Sequence, residues 1–403
     1  MKAFIKAIRF ISIALFIGFF MAFSVYQGYI ETIRSGLEGY GFFGVLFLLI
    51  LVFYITLTLH ELGHFLAFRL QKIRLRAIYL TIFVFYRTEQ GWRFTVRPRL
   101  WVLFGGLVVP DLAPINDEKT YQKTVDRFSK ALLAGPIVTI VFAVLVLILF
   151  WLVLIFAVDP FWIGTTVYFT VFTLLLSGLY TYTFFLSTNV FFGDFVAYRH
   201  MKEDPIFQLI EIDQYTVFSL HEQEETTDFL FSKIKRVLRE TELDYSVFHA
   251  LLINAYLEGV MYGDKQPDEA VDQKILRRNI RPYMRFEQGI ETAHALACYH
   301  YFKKDVARAY ELLDRIRQGG GKSIPEKLKV YLIKRSEHAM HLKDHASFLA
   351  DRENVHIGHF WIFDGLIDPY EHMKALHEPL PFSEYTSSIE YIYADSEKEK
   401  SDS

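Results

Sequence analysis

The chain has 403 residues, 52% of them hydrophobic and 17% aromatic, with a net charge of −3 and a positive mean hydropathy. Residues 1–200 carry 17 Lys/Arg against 10 Asp/Glu and residues 201–403 carry 26 against 36, so an apolar, basic half precedes a soluble, acidic one. The single cysteine, Cys298, excludes an intrachain disulfide and a thiolate-rich zinc site, and no nucleic-acid partner is expected.

Residues 8–30 follow Lys2, Lys6 and Arg9 and read as a retained span, because the apolar core is long and only Ala22 and Ser24 resemble a cleavage site. With a short external loop they make up a first segment, 1–40. A membrane core is expected over 41–202. Its apolar stretches, about 42–68, 131–157 and 161–195, each exceed the ~20 residues that cross a ~30 Å hydrocarbon layer. The last is too long for one upright helix, and a break near Ser187-Thr188-Asn189 resolves this. Residues 74–97 read as a membrane-associated β-hairpin: 74–87 are dense in β-branched and aromatic residues, Glu89-Gln90-Gly91 offers a turn, and 92–96 alternate. A further apolar stretch, 100–109, is too short to span. Basic residues cluster before residue 10, between 69 and 130, and at Arg199 and Lys202. They predict four spans with both termini cytoplasmic, and the absence of organelle addresses points to a bacterial plasma membrane.

Residues 203–393 are helical and amphipathic by pattern. The stretch 295–313 reads as a helix-turn-helix of tetratricopeptide type, and His-Ala-Leu recurs at 249–251 and 294–296; a repeat and an ordinary all-α domain both fit. Gly321-Lys322-Ser323 resembles the end of a phosphate loop, but Ile316 stands where that loop needs glycine, which excludes a nucleotide site. The tail, 394–403, is disordered by composition. The expected fold class is a polytopic α-helical membrane protein with a short membrane-associated β-hairpin, followed by an all-α soluble domain.

The chemistry concentrates at His60-Glu61-Leu62-Gly63-His64, which ends a stretch, 39–59, without any charged residue. On a helix, positions i and i+4 share a face, so both imidazoles can meet one divalent ion while Glu61 reaches water. Burying these groups among Leu, Phe and Ile costs several kcal/mol unless they are paired or coordinated, which favours a metal. A third protein ligand is needed, commonly a carboxylate. His64 lies five residues before Arg69, and Asp194 lies five before Arg199, the first basic residue after the last span. If both stretches are helical, each ligand sits ~7.5 Å above its arginine, at one depth. Asp159 is on the opposite side; Glu89, Asp111 and Asp117 lie in the cytosolic segment. An interfacial Asp194 paired with arginine remains an alternative, and His200 is the next candidate.

At this point the chain resembles the site-2 protease family of intramembrane zinc metalloproteases over residues 42 to about 200. Four anchors carry the resemblance: the motif at 60–64, Gly105-Gly106 after the hairpin, Ala134-Gly135-Pro136 opening the third span, and Asp194 ending the fourth. Two positions depart from it. The family's Asn three residues after Gly-Pro is Thr139 here, and in its last motif Asn189 replaces the Pro and Phe195 the Gly. The resemblance implies Zn2+ on His60, His64 and Asp194, Glu61 as the catalytic residue, and substrate contacts at Thr139, Asn189, Gly105 and Gly106. It also implies a membrane protein or membrane-inserted peptide as substrate, cut within the lipid bilayer near the cytosolic face, in regulated intramembrane proteolysis or peptide maturation. The domain at 203–393 is then a surface for a cytosolic protein partner. The altered frame of Thr139 and Asp194 keeps a second reading open: a catalytically inactive membrane scaffold that binds proteins through its helical domain.

Overall fold

The computed structural model describes residues 28–103, 105–156, 159–188, 192–319, 324–363 and 365–381. The span expected at 8–30, apart from its last three residues, lies outside them, as do Asn189, the Gly321-Lys322-Ser323 motif and the tail. The chain divides into two compact units, one of residues 1–109 and 126–199, the other of residues 110–125 and 200–403.

In the first unit, helix α1 (Tyr29–Glu38) occupies most of what the sequence reads as a loop. Glu31 in its first turn and an Arg34–Glu38 pair at i,i+4 (2.9 Å) favour the helix. Gly36 lets its backbone meet the helix that begins at Pro160, since a Cβ there would lie 2.5 Å from the Pro160 carbonyl oxygen. Helices α2 (Phe42–Leu70), α3 (Glu118–Phe156) and α4 (Pro160–Phe184) are each long and apolar enough to cross a membrane. Their outer faces carry exposed Phe43, Phe47, Leu145, Ile148, Leu175 and Leu179, whereas Thr56, His60, Glu61, Thr139, Thr173 and Ser177 are buried. This inverts the pattern of a water-soluble bundle, as lipid contact requires.

Helix α3 starts well before residue 131 because nothing between 118 and 131 breaks a helix; the charged residues there simply extend it. Asp159 caps α4, accepting the Phe161 N–H at 2.8 Å, with Pro160 in the first turn. Helices α2 and α4 run parallel. Tyr40, just before α2, packs on Phe161 and Tyr168, while His60 packs on Tyr180 and Phe184 further along. Helix α4 stops at Phe184, and α5 (Asp194–Glu203) begins ten residues later. Residues 161–195 are therefore not one helix; just before α5, the Gly193 N–H bonds the Leu186 carbonyl at 2.9 Å.

The expected hairpin is part of a four-stranded sheet, β1 (Arg74–Leu80), β2 (Phe83–Thr88), β3 (Gly91–Val96) and β4 (Gly106–Asp111), in the order β3-β2-β1-β4. The stretch 74–87 holds two strands, because the chain reverses at Thr81, whose φ of 51° opens a tight turn between Leu80 and Phe83. Strands β2 and β3 pair antiparallel, with Thr88 opposite Gly91, where the turn is expected. The stretch 100–109 holds the end of a 3-10 turn, Pro98–Leu103, and most of β4.

The second unit is helical: α6 (Pro205–Thr216), α7 (Glu224–Glu240), α8 (Val247–Tyr262), α9 (Glu269–Leu276), α10 (Glu287–Phe302), α11 (Val306–Gly319), α12 (Glu326–Ala339), and the short α13 (Ala346–Ala350) and α14 (Pro369–Met373). Asp204, Ser246 and Asp268 cap α6, α8 and α9 through side-chain oxygens that accept backbone N–H groups. Helices α6, α8, α10 and α12 pack side by side in succession, with α7 against α6 and α8, and α11 against α10. The turn between α10 and α11 falls at Lys303-Lys304, as expected from the pattern at 295–313; Lys304 takes a φ of 67°. Between α8, α9 and α10, Asp272 is buried and accepts bonds from Tyr256 Oη (2.7 Å) and Tyr299 Oη (2.8 Å), with Lys303 Nζ at 3.0 Å.

Breaking that buried pair from one side should be costly. We expect Asp272→Ala to lower the unfolding free energy of the full-length protein by about 3–5 kcal/mol, because Lys303 keeps its charge without a partner. Adding Lys303→Met should recover most of the loss, read by denaturant titration in detergent.

Candidate metal centre

The centre is built from α2 upward. Its run of Leu, Phe, Ile and Val dictates a helix in an apolar medium, and the helical repeat stacks His60 above His64 on the buried face. Gly63 brings that face against α3: a Cβ at Gly63 would lie 2.8 Å from the Ala134 carbonyl oxygen. Gly135 leaves room for both imidazoles, since a Cβ there would collide with His64 Nε2 and lie 2.7 Å from His60 Cε1.

The hydrogen bonds decide the tautomers. His64 Nδ1 is 2.8 Å from the Ala131 carbonyl oxygen, which can only accept, so Nδ1 donates. Thr139 Oγ1 donates to the Gly135 carbonyl (3.1 Å) and stands 3.0 Å from His60 Nδ1, which therefore donates to it. In neutral rings this leaves lone pairs on both Nε2 atoms, which lie 3.1 Å apart. Asp194 Oδ2, at the first residue of α5, lies 3.3 Å from His60 Nε2 and 3.7 Å from His64 Nε2. With both rings neutral, three acceptors face one point, an arrangement that a shared cation resolves. Two imidazole nitrogens and one carboxylate oxygen are a donor set that suits zinc. Among the described residues, these three offer ligand atoms within 4.8 Å of one another.

Aromatic packing fixes the His60 ring plane. Phe184 lies parallel to it at 5.2 Å between centroids and Tyr180 at 6.1 Å. Phe195, where the motif of the resembling family has glycine, packs edge-on to Phe184 at 5.8 Å and so backs the ring on His60. Glu61 is 4% exposed and faces β4, where a Cβ on Gly106 would lie 2.6 Å from Glu61 Oε1. The structure therefore gathers His60, Glu61, His64, Asp194 and Gly106. Gly105 accepts the Thr81 N–H at 3.0 Å. Thr139 is fully buried, with its hydroxyl engaged by His60. His200 pairs instead with Asp204 at 3.0 Å. The Ala131 carbonyl and the Tyr180–Phe184 pair touch the imidazoles and were not anticipated from the sequence, whereas Gly135 lies in the Ala134-Gly135-Pro136 anchor. Only the Gly-Pro anchor pointed towards them.

Comparison with known families finds a match to the family model described as Peptidase family M50 over residues 48–328. Comparisons with curated proteins and with solved structures find no match.

Zinc per mole of purified protein tests the geometry. His64→Ala and Asp194→Ala should lose the ion, whereas Thr139→Val should keep the fold and bind about 10–100-fold more weakly, because only the partner that orients His60 is removed.

Proposed function

The chain belongs to peptidase family M50, the site-2 proteases, which are membrane-embedded zinc metallopeptidases, and from that premise we propose that it hydrolyses a peptide bond in a membrane-embedded protein or membrane-inserted peptide. The convergence of His60 Nε2, His64 Nε2 and Asp194 Oδ2 on one point carries this reading. The chemistry that zinc supplies when bound there is Lewis acidity towards the scissile carbonyl and towards water. Glu61, one residue from His60 and buried beside β4, takes a proton from the attacking water at a carboxylate oxygen. It then delivers that proton to the leaving amine. Thr139 and the Ala131 carbonyl hold the imidazole Nδ1 protons, which keeps both Nε2 atoms basic.

A helical substrate has its carbonyls tied up in hydrogen bonds, so the cut segment must unwind and find replacement partners. The sheet offers them. Its interior strands β1 and β2 are each paired on both sides, leaving β3 and β4 as edges, and β4 begins at Gly106, against Glu61. An extended substrate added to the β4 edge would run past the base with its backbone satisfied. The basic residues that follow α2 favour a cytoplasmic level for the site, cytoplasmic termini, cleavage near that face and a plasma membrane of bacterial type. The helical unit, with α6, α8, α10 and α12 side by side, is suited to a cytosolic protein partner that selects or presents substrates.

Glu61→Ala tests the reading. It should retain about one zinc and lower cleavage by roughly 10²–10⁴-fold, seen as accumulation of unprocessed membrane proteins when membrane proteomes of variant and wild-type cells are compared. Identical proteomes would overturn the protease in favour of a scaffold that binds through its helical domain.

A further inference from the structure

The buried face of α4 is unusual in its chemistry. Thr170, Thr173, Ser177, Tyr180 and Phe184 recur at intervals of three and four residues, which places them within one helical stripe. Phe184 and Tyr180 lie on His60, so the stripe leads to the metal centre. Thr170 (5% exposed), Thr173 (0%) and Ser177 (5%) are more than nine-tenths buried, yet none of their hydroxyls has a hydrogen-bond partner, and neither does the buried hydroxyl of Tyr180. Thr56, fully buried one turn before His60 on α2, is a fifth such hydroxyl and belongs to a different helix.

A hydroxyl in a membrane helix ordinarily bonds the carbonyl one turn back. Thr165, Thr166 and Thr183 of this same helix do so, at 2.8, 2.8 and 2.7 Å. The stripe between them does not. Five buried hydroxyls left dry in hydrocarbon would each be costly, whereas water molecules bonding two to four polar groups apiece would satisfy them. We propose that the α2–α4 seam holds a file of water molecules, bound by Thr170, Thr173, Ser177, Thr56 and Tyr180, which ends at the metal centre beside Glu61.

The stripe from Thr170 to Tyr180 is ~15 Å long, enough for several waters in single file. Its far end is sealed. Ile163 is 2% exposed, and Gly164 is in backbone contact with Gly36 of α1. Leu48 and Val52 precede Thr56 and His60 at intervals of four, on the same face of α2, and are buried and apolar. A file closed at that end communicates with the metal centre and does not conduct protons across the membrane. Its use as a water supply for hydrolysis rests on the protease reading; its existence does not.

X-ray radiolysis of the full-length protein in lipid nanodiscs made up in H2(18)O labels side chains that border bound water and needs no substrate. We expect 18O uptake at Tyr180 and Val52 comparable with that of half-exposed Tyr245 in the helical unit, falling to background in Thr173→Val/Ser177→Ala. The same variant should melt at a lower temperature, because it strands the remaining hydroxyls. Unlabelled Tyr180 and Val52 in a wild-type sample whose Tyr245 is labelled would overturn the proposal, even if the variant fails to fold. Labelling unchanged by the double substitution would overturn it too, as would a rise in melting temperature, the mark of a dry seam relieved of unpaired polar groups. None of these readouts depends on whether Glu61 is a catalytic base.

Discussion

Two imidazoles that have both committed their Nδ1 protons elsewhere set the terms for the rest of the membrane unit. Ala131 and Thr139 take those protons, and the remaining lone pairs of His60 and His64 meet each other and the Asp194 carboxylate at distances where acceptors repel. In water such a cluster would relax or protonate. Enclosed by Phe184, Tyr180 and the backbone of α3, it is held together by a shared cation, a metal ion or a proton. The candidate ligands come from α2 and α5 and the groups that orient them from α3, so the same few atoms also tie together segments far apart in the chain.

Close backbone approach makes this possible. Lipid offers helices no hydrophobic drive to associate, and small residues at the contacts allow packing and hydrogen bonding to do that work instead. Gly63 and Gly135 bring α2 onto α3 near the imidazoles, Gly106 lets β4 reach Glu61, and Gly36 meets Gly164 at the other end of the bundle. A methyl group at any of these positions would push apart elements whose separation determines the site. Phe195 shows the converse: a large ring where the resembling family has glycine is accommodated because it completes the aromatic stack behind His60.

The motif at 60–64 was legible in the sequence because its residues are local and chemically out of place in an apolar run. Asp194 was legible through depth, since its distance from Arg199 matches that of His64 from Arg69. Thr139 was not legible in the same way. Its position marks it as standing where the family has Asn, but only the fold shows its hydroxyl bonded to His60 and thus committed to the ligand. The sheet was half visible: alternation reveals strands, but residues 74–87 contain no glycine or proline to mark the reversal at Thr81, and β4 draws on a stretch that reads as merely apolar. Helix α1 hid for a related reason, being short, polar on its surface and stabilised by the packing of Gly36. The α2–α4 hydroxyls were in plain view as letters, but a Thr that bonds its own helix and one that does not look identical until the structure separates Thr166 from Thr170.

The interruption between Phe184 and Asp194 also bears on how the protein comes into being. His60 and His64 enter the membrane early in synthesis, whereas the Asp194 carboxylate that faces them is delivered only after α3 and α4 have been threaded. A partly synthesised chain holds the two imidazoles and Glu61 but lacks the group that closes the set around them. On the proposed reading, hydrolytic competence would be deferred to the end of membrane insertion, and a ribosome-bound intermediate would be chemically silent.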